Sequence, residues 1–124
     1  MFENSKPEEF DKSLLFSTVI IESPYGGNIE QNVRYLRACM RDCILRKEAP
    51  FASHGLYTQP GVLRDEVTNE RELGITAGFA FRRNADKTVV YTDLGVSRGM
   101  QAGIDHAMSI SHLIEYRILG GEWT

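Results

Sequence analysis

At 124 residues and 14.0 kDa the chain is about one domain's worth, and a chain near this length buries roughly two-thirds of its unfolded surface without staples. Its 42% hydrophobic, 25% charged and 10% aromatic residues exclude a disordered, collagen-like or low-complexity protein. Lys and Arg number 14 against 17 Asp and Glu, a net charge of -3, which argues against a nucleic-acid polymer or an anionic membrane as partner. A small ligand carrying phosphate could still be held by a local basic spot.

Residues 1–12 are polar and acidic, with Pro7, Glu8, Glu9 and Asp11, and read as a loose lead-in to a single domain over 13–124. The run Leu14-Leu15-Phe16-Ser17-Thr18-Val19-Ile20-Ile21 is nearly continuous, apolar and β-branched, which predicts a strand over 15–22 buried on both faces. Glu22-Ser23-Pro24-Tyr25-Gly26-Gly27 is a turn-rich loop. Asn28 then caps a helix, with Gln31 at the third position of a capping box. Ile29, Val33, Leu36, Met40, Cys43 and Ile44 follow at helical spacing to about Lys47, with Arg34, Arg37, Arg41 and Arg46 on a solvated opposite side.

A short second strand is expected at 49–53 and a long loop from His54 to Thr68. Asn69 with Glu72 makes another capping box and opens a helix to about Arg83, with Ala77 and Ala80 on one face behind Leu73. Thr88-Val89-Val90-Tyr91-Thr92 predicts a strand over 88–93. Ser97 caps a third helix to about Met108, whose inward stripe is Met100, Ile104 and Ala107. A last strand spans 113–118, before the tail that begins Gly120-Gly121. The order β-α-β-α-β-α-β implies a small doubly wound, Rossmann-like or flavodoxin-like α/β fold, with a mostly parallel sheet of four to five strands flanked by helices. Ligands of such sheets sit outside the carboxyl ends of the strands, here the loops 22–28, 53–68 and 93–99.

Cys39 and Cys43 lie four apart on the first helix, where regular geometry keeps the α-carbons out of comfortable disulfide range. No CxxC pair or His/Cys cluster accompanies them, so two reduced thiols on or near a buried helix face are expected, with no metal and no cofactor. The N-terminus opens with mixed charge rather than a basic region followed by an apolar run. No stretch approaches the roughly 18 apolar residues of a membrane span, so the expected location is the cytoplasm.

Three loops carry the candidate chemistry. In Ser23-Pro24-Tyr25-Gly26-Gly27-Asn28, glycines let a ligand approach the backbone, the helix start favours phosphate or carboxylate, and Tyr25 could stack on a base or sugar. A plain glycine-containing turn is the alternative, and no GxGxxG fingerprint is present. In Leu94-Gly95-Val96-Ser97-Arg98-Gly99-Met100, Ser97 offers a hydroxyl at a helix start and Arg98 a planar cationic fork, while Asp93 could accept from ribose hydroxyls. The bland alternative makes Ser97 only a cap and Asp93 a solvated turn residue. His54, with Tyr57 and Gln59 nearby, could act as acid or base or be polar surface. No GxSxG elbow is present.

The segments Ile20-Ile21-Glu22-Ser23-Pro24-Tyr25-Gly26-Gly27 and Asn32-Val33-Arg34-Tyr35 resemble the opening of the nucleoside 2-deoxyribosyltransferase-like proteins. There a G-P-Y or S-P-Y loop leads into the first helix. Asp93-Leu94-Gly95-Val96-Ser97-Arg98-Gly99-Met100 resembles their later S-x-G helix start, and the likeness runs from Leu15 to Trp123. It extends, through Pro50-Phe51-Ala52-Ser53-His54, Leu56-Tyr57-Thr58-Gln59 and the Gly-Gly-Glu-Trp tail, to a branch frequent in phages and bacteria.

The resemblance implies chemistry on the N-glycosidic bond of nucleosides or nucleotides, with a nucleophilic glutamate six residues past the serine. Six from Ser97 is Gly103, which has no side chain. Asp105 lies about 200° around the helix from Ser97's sixth successor and is one methylene shorter, a poor substitute. The leading expectation is therefore a protein that binds a nucleotide- or nucleoside-derived small molecule without turnover. In a phage this could sequester a nucleotide immune signal in the host cytoplasm. The alternative is an N-glycosidase or deoxyribosyltransferase-type enzyme using Asp93 or His54 as catalytic residues, and a third reading is an assembly or regulatory module with an idle pocket. Expected ligand-binding residues are Ser23, Tyr25, Gly26, Gly27, Asn32, Tyr57, Gln59, Asp93, Ser97, Arg98, Gly99 and Met100. A homo-oligomer is expected, since relatives complete the pocket with a neighbouring subunit, and the 54–68 loop with Leu56, Tyr57 and Val62 is the segment to reach across.

Overall fold

A computed structural model describes residues 9–123. Residues 1–8 of the expected lead-in lie outside the described residues. The first strand, β1 (Ser17–Glu22), is shorter than its apolar run, because Lys12–Leu15 forms a 3-10 turn. The Asp11 carboxylate caps that turn by accepting from the Ser13 backbone N–H at 3.0 Å. Pairing begins at Ser17, opposite Glu48, so among the described residues Leu14 and Leu15 have no partner strand, and both stay exposed.

Helix α1 (Ile29–Leu45) starts where expected, with Asn28 Oδ1 accepting from the Gln31 N–H at 3.2 Å. Lys47 turns the chain at a positive φ of 64° into β2 (Glu48–Phe51). A single turn, α2 (Ser53–Leu56), opens the segment expected to be all loop, so His54 stands on a helix. Then follow α3 (Thr68–Arg82), β3 (Lys87–Tyr91), α4 (Arg98–Ser109) and β4 (Ile114–Arg117).

The four strands form one parallel sheet in the order β2-β1-β3-β4. Successive residues of a strand face opposite sides, which divides the core in two. Val19, Ile21, Val89 and Tyr91 pack with Tyr35, Leu36, Cys39 and Cys43 of α1. Val90 packs with Met100 and Ile104 of α4, the stripe expected from spacing. Both cysteines are buried and free, and desolvation pushes both thiols up.

Helix α3 is a helix, but its cap and inward face differ from expectation. Val67 is the N-cap residue and has no side-chain cap bond. The Asn69/Glu72 box does not form, because Glu70 ties the preceding loop to the helix instead. Its carboxylate accepts from the Arg64 backbone N–H at 2.9 Å and from the guanidinium at 3.0 and 2.6 Å. Leu73, Ala77 and Ala80 face solvent, and the buried residues are Gly78 and Arg82. The reason is close approach: a Cβ at Gly78 would lie 2.5 Å from Ser53 Oγ, so only glycine lets α3 meet α2 here.

A second buried polar group sits in the core. Arg117 donates to both oxygens of Glu48 at 2.7 and 2.6 Å and to the Tyr91 hydroxyl at 3.1 Å. Burial disfavours ionised Glu48, but the hydrogen bonds from Arg117 and Lys87 outweigh it and hold the carboxyl below its usual range.

Candidate functional site

The order β2-β1-β3-β4 departs from β1 in both directions, toward β2 through α1 and toward β3 and β4 on the other side. A crevice at such a switch point, outside the carboxyl ends of β1 and β3, is where doubly wound sheets hold ligands. A cavity of about 370 Å³ occupies it. One wall is the Ser23–Gly27 loop after β1, another the Ser97–Met100 start of α4, and α2 and α3 close the remainder.

Two charged residues meet inside. Glu22, the last residue of β1, accepts from Arg82 Nη2 at 2.5 Å through Oε2. Arg82 also donates through Nη1 to the Gly103 carbonyl of α4, and its buried Nε has no hydrogen-bond partner among the described residues. The guanidinium lies 5.4 Å from the Phe79 ring centroid, and Phe79 stacks on His106 with centroids 4.1 Å apart. Burial pushes the Glu22 carboxyl up to about 7, even though Arg82 pulls the other way.

Gly103 faces this pair. A Cβ built there would overlap the Glu22 carboxyl, whose farther oxygen would be 2.5 Å away. The position expected to leave the pocket without a carboxylate is thus filled by one that arrives from β1.

Ser23 is buried and shares a hydrogen bond of 2.7 Å with His54 Nε2. Burial pushes His54 down to about 4, so the imidazole is neutral at pH 7. Ser97 Oγ caps α4 by accepting from the Met100 N–H at 3.2 Å. Arg98 lines the cavity, and Arg71 joins it from α3.

Of the residues singled out by sequence, the cavity brings together Ser23, Tyr25, Gly26, Gly27, His54, Ser97, Arg98, Gly99 and Met100. The others lie elsewhere. Asn32 is buried behind the loop, donating from Nδ2 to the Tyr25 and Gly26 carbonyls at 2.8 and 3.0 Å, so it holds the loop in shape. Tyr57 lines a small adjoining pocket and meets the edge of Phe51. Gln59, past the end of α2, lines a different pocket and donates back to the Gly55 carbonyl at 2.9 Å.

Asp93 also lies outside the cavity. Its carboxylate accepts from the Tyr35 hydroxyl at 2.6 Å and from the Leu119 and Gly120 N–H groups at 2.9 Å each. Burial works against the charge, but these donors win and hold Asp93 below the usual carboxylate range. A carboxylate so occupied fastens the C-terminal tail and is not available to a ligand in the cavity. Glu22 and Arg82 were not among the expected site residues. The available signal was a charged residue ending a buried apolar strand at its carboxyl end, where ligands of this fold bind.

Residues 17–117 match the family described as Domain of unknown function (DUF7768). The chain belongs to that family. A search of curated proteins finds no match. Among solved structures, the fold resembles the 2-deoxyribosyltransferase of the psychrotolerant bacterium Bacillus psychrosaccharolyticus, described as a biocatalyst for nucleoside synthesis, with a TM-score of 0.56 and 14% identity over 86% of this chain and 75% of that one. The shared feature is the fold: a parallel α/β sheet flanked by helices. Among the described residues no helix is long and apolar enough to cross a membrane, and no cluster of His, Cys, Asp and Glu could hold a metal ion.

Proposed function

We propose that the cavity at the carboxyl end of β1 binds a nucleoside- or nucleotide-derived small molecule. The observation that carries this reading is convergence. The Ser23–Gly27 loop and the Ser97–Met100 helix start reach one 370 Å³ cavity from the two sides of the switch point, in a fold shared with a 2-deoxyribosyltransferase. The cavity falls within the 300–1,000 Å³ typical of small-molecule sites. The start of α4, the Arg98 guanidinium and the open space beside Gly99, where a would-be Cβ meets nothing within 4 Å, suit a phosphate. Tyr25 and Phe51 supply flat apolar surface for a base. The expectation that such a ligand is held without turnover rested on the bare Gly103, and the Glu22 carboxyl removes that reason.

The test is calorimetry against nucleoside 5′-monophosphates and the matching nucleosides. A charged hydrogen bond of roughly 1.5–3 kcal/mol predicts that Arg98→Ala weakens the monophosphate about tenfold to a hundredfold. The uncharged nucleoside should bind the variant nearly as well as the parent, and the melting temperature should not move. Equal monophosphate affinity in Arg98→Ala and the parent would show that this helix start does not hold the phosphate.

A further inference from the structure

β4 is an edge of the sheet, bonded to β3 on one side and, among the described residues, to no strand on the other. The Leu113 carbonyl accepts from the Thr88 N–H and the Arg117 carbonyl from the Thr92 N–H, so odd-numbered residues turn their backbone groups toward β3. Those of Ile114, Tyr116 and Ile118 point outward and, among the described residues, have no hydrogen-bond partner. The side chains along this edge are apolar and open: Leu113 is 65% exposed, Tyr116 59% and Ile118 70%. Edge strands that stay single are commonly guarded by lysine, proline or a bulge. β4 has none of these, and its buried charge, Arg117, is already neutralised by Glu48.

The edge is also complementary to itself. Leu113–Leu119 reads Leu-Ile-Glu-Tyr-Arg-Ile-Leu, the same from either end except that Glu115 answers Arg117. We propose that two copies of the chain join edge to edge, each β4 antiparallel to the other about a two-fold axis at Tyr116, so that the two four-stranded sheets become one continuous sheet. A two-fold contact sets residue i against j and j against i. Here Tyr116 meets its own copy, Ile114 meets Ile118, Leu113 meets Leu119, and Glu115 meets Arg117. Aromatic, aliphatic and opposite-charge pairs across neighbouring strands are the ones that stabilise a sheet.

Backbone and charge together select this register. Outward backbone groups must meet outward ones, which pairs even-numbered residues with even-numbered residues. A slip of two residues one way sets Glu115 against its own copy, and two the other way sets Arg117 against its own copy. Like charges directly opposite one another are unfavourable, so the register centred on Tyr116 is favoured over both. Tyr116 and Ile118 share a face with Ile114, which packs against the cluster of Val90, Met100 and Ile104, so the join extends an apolar layer that already exists. The contact is independent of what the cavity binds.

Sedimentation of the full chain at micromolar concentration should give twice its 14.0 kDa. Tyr116 is exposed, so substitutions there should spare the folded monomer, which circular dichroism checks. Tyr116→Glu and Tyr116→Lys each set like charges at the axis and should each sediment as monomers. An equal mixture of the two should recover the dimer, because only the residue at the axis meets its own copy. Tyr116→Cys brings two α-carbons about 5.5 Å apart, within disulfide reach, and oxidation should give a covalent dimer; Cys39 and Cys43 are buried and do not compete. Ile118→Cys, whose copies would stand roughly 14 Å apart, should not cross-link. The cysteine pair decides should a charged variant fail to fold. A monomeric parent, a dimer undiminished by both Tyr116→Glu and Tyr116→Lys, a mixture that stays monomeric, or cross-linking of Ile118→Cys as readily as Tyr116→Cys each overturns the proposal.

Discussion

Gly103→Ala probes the packing between α4 and β1 in the cleanest way. The backbone at 103 is ordinary helix, without the positive φ that favours glycine, so alanine alone should stabilise α4 by about 0.5–1 kcal/mol. The added methyl, however, falls inside the Glu22 carboxyl. A glutamate end usually swings aside cheaply, but this one is tied to Arg82. Moving it disturbs a charged hydrogen bond worth roughly 1.5–3 kcal/mol, a cost in line with the roughly 1–3 kcal/mol of overpacked cores. The net expectation is destabilisation by about 1–2 kcal/mol, or a melting temperature lower by roughly 4–8 °C for a chain of this size. Gly99→Ala in the same helix is the control, since nothing lies within 4 Å of its would-be Cβ, and it should be neutral or slightly stabilising. In a Glu22→Ala background the obstacle is gone, and Gly103→Ala should change sign and stabilise. Thermal and urea unfolding of the four proteins give the coupling, expected at about 1–3 kcal/mol. If Gly103→Ala stabilises the parent as much as it stabilises Glu22→Ala, the two residues do not compete for one space.

The other predictions follow from groups already described. Asp93→Asn should loosen the C-terminal tail, red-shifting the fluorescence of Trp123, the one tryptophan of the sequence, which packs 4.9 Å from Tyr35. Ligand affinity should be unchanged, whereas a catalytic Asp93 would lose turnover with no change in fluorescence. Glu48→Gln leaves Arg117 short of its buried counter-charge and should destabilise the fold by about 3–5 kcal/mol in urea titrations. Glu22 and His54 should give opposite pH dependences of stability. Glu22, raised from 4.5 to about 7, contributes stability present below pH 4.5 and lost as pH rises through 7; His54, lowered from 6.5 to about 4, contributes stability present above pH 6.5 and lost as pH falls through 4. The melting-temperature gain of Glu22→Gln over the parent should therefore grow from pH 5 to 8, and that of His54→Gln should grow from pH 7 to 4; slopes of one sign for both would contradict these assignments.

Strand positions were legible because a parallel sheet buries both faces of each strand, so Val19-Ile20-Ile21 and Val89-Val90-Tyr91 announce themselves as apolar runs. Helix starts at Asn28 and Ser97 were legible because a cap is a local bond between neighbours. The same rule failed at Asn69, where Glu70 was drawn into a longer-range pair with Arg64. The inward face of α3 was misread for a related reason. Its buried side is Gly78 and Arg82, chosen by close approach to Ser53 and by the partner at Glu22, and neither residue type signals a core by its hydrophobicity. Asp93 stood at the right edge of the sheet, yet its partners are Tyr35, 58 positions away, and the tail amides, which no local pattern reveals.

Glu22 was the hardest to read for a reason that bears on the chemistry. A resemblance transfers a carboxylate by its place in a motif, while a pocket requires only that a carboxylate reach a point in space. Because α4 packs over β1, the end of the strand and the second turn of the helix face the same point, and either element can deliver the group. They cannot both do so. With glutamate at 22, position 103 has no room for even one methyl group, and a glutamate at 103 would require a small residue at 22. The two positions therefore form a single steric unit, in which Gly103 carries as much information about the pocket as Glu22 itself.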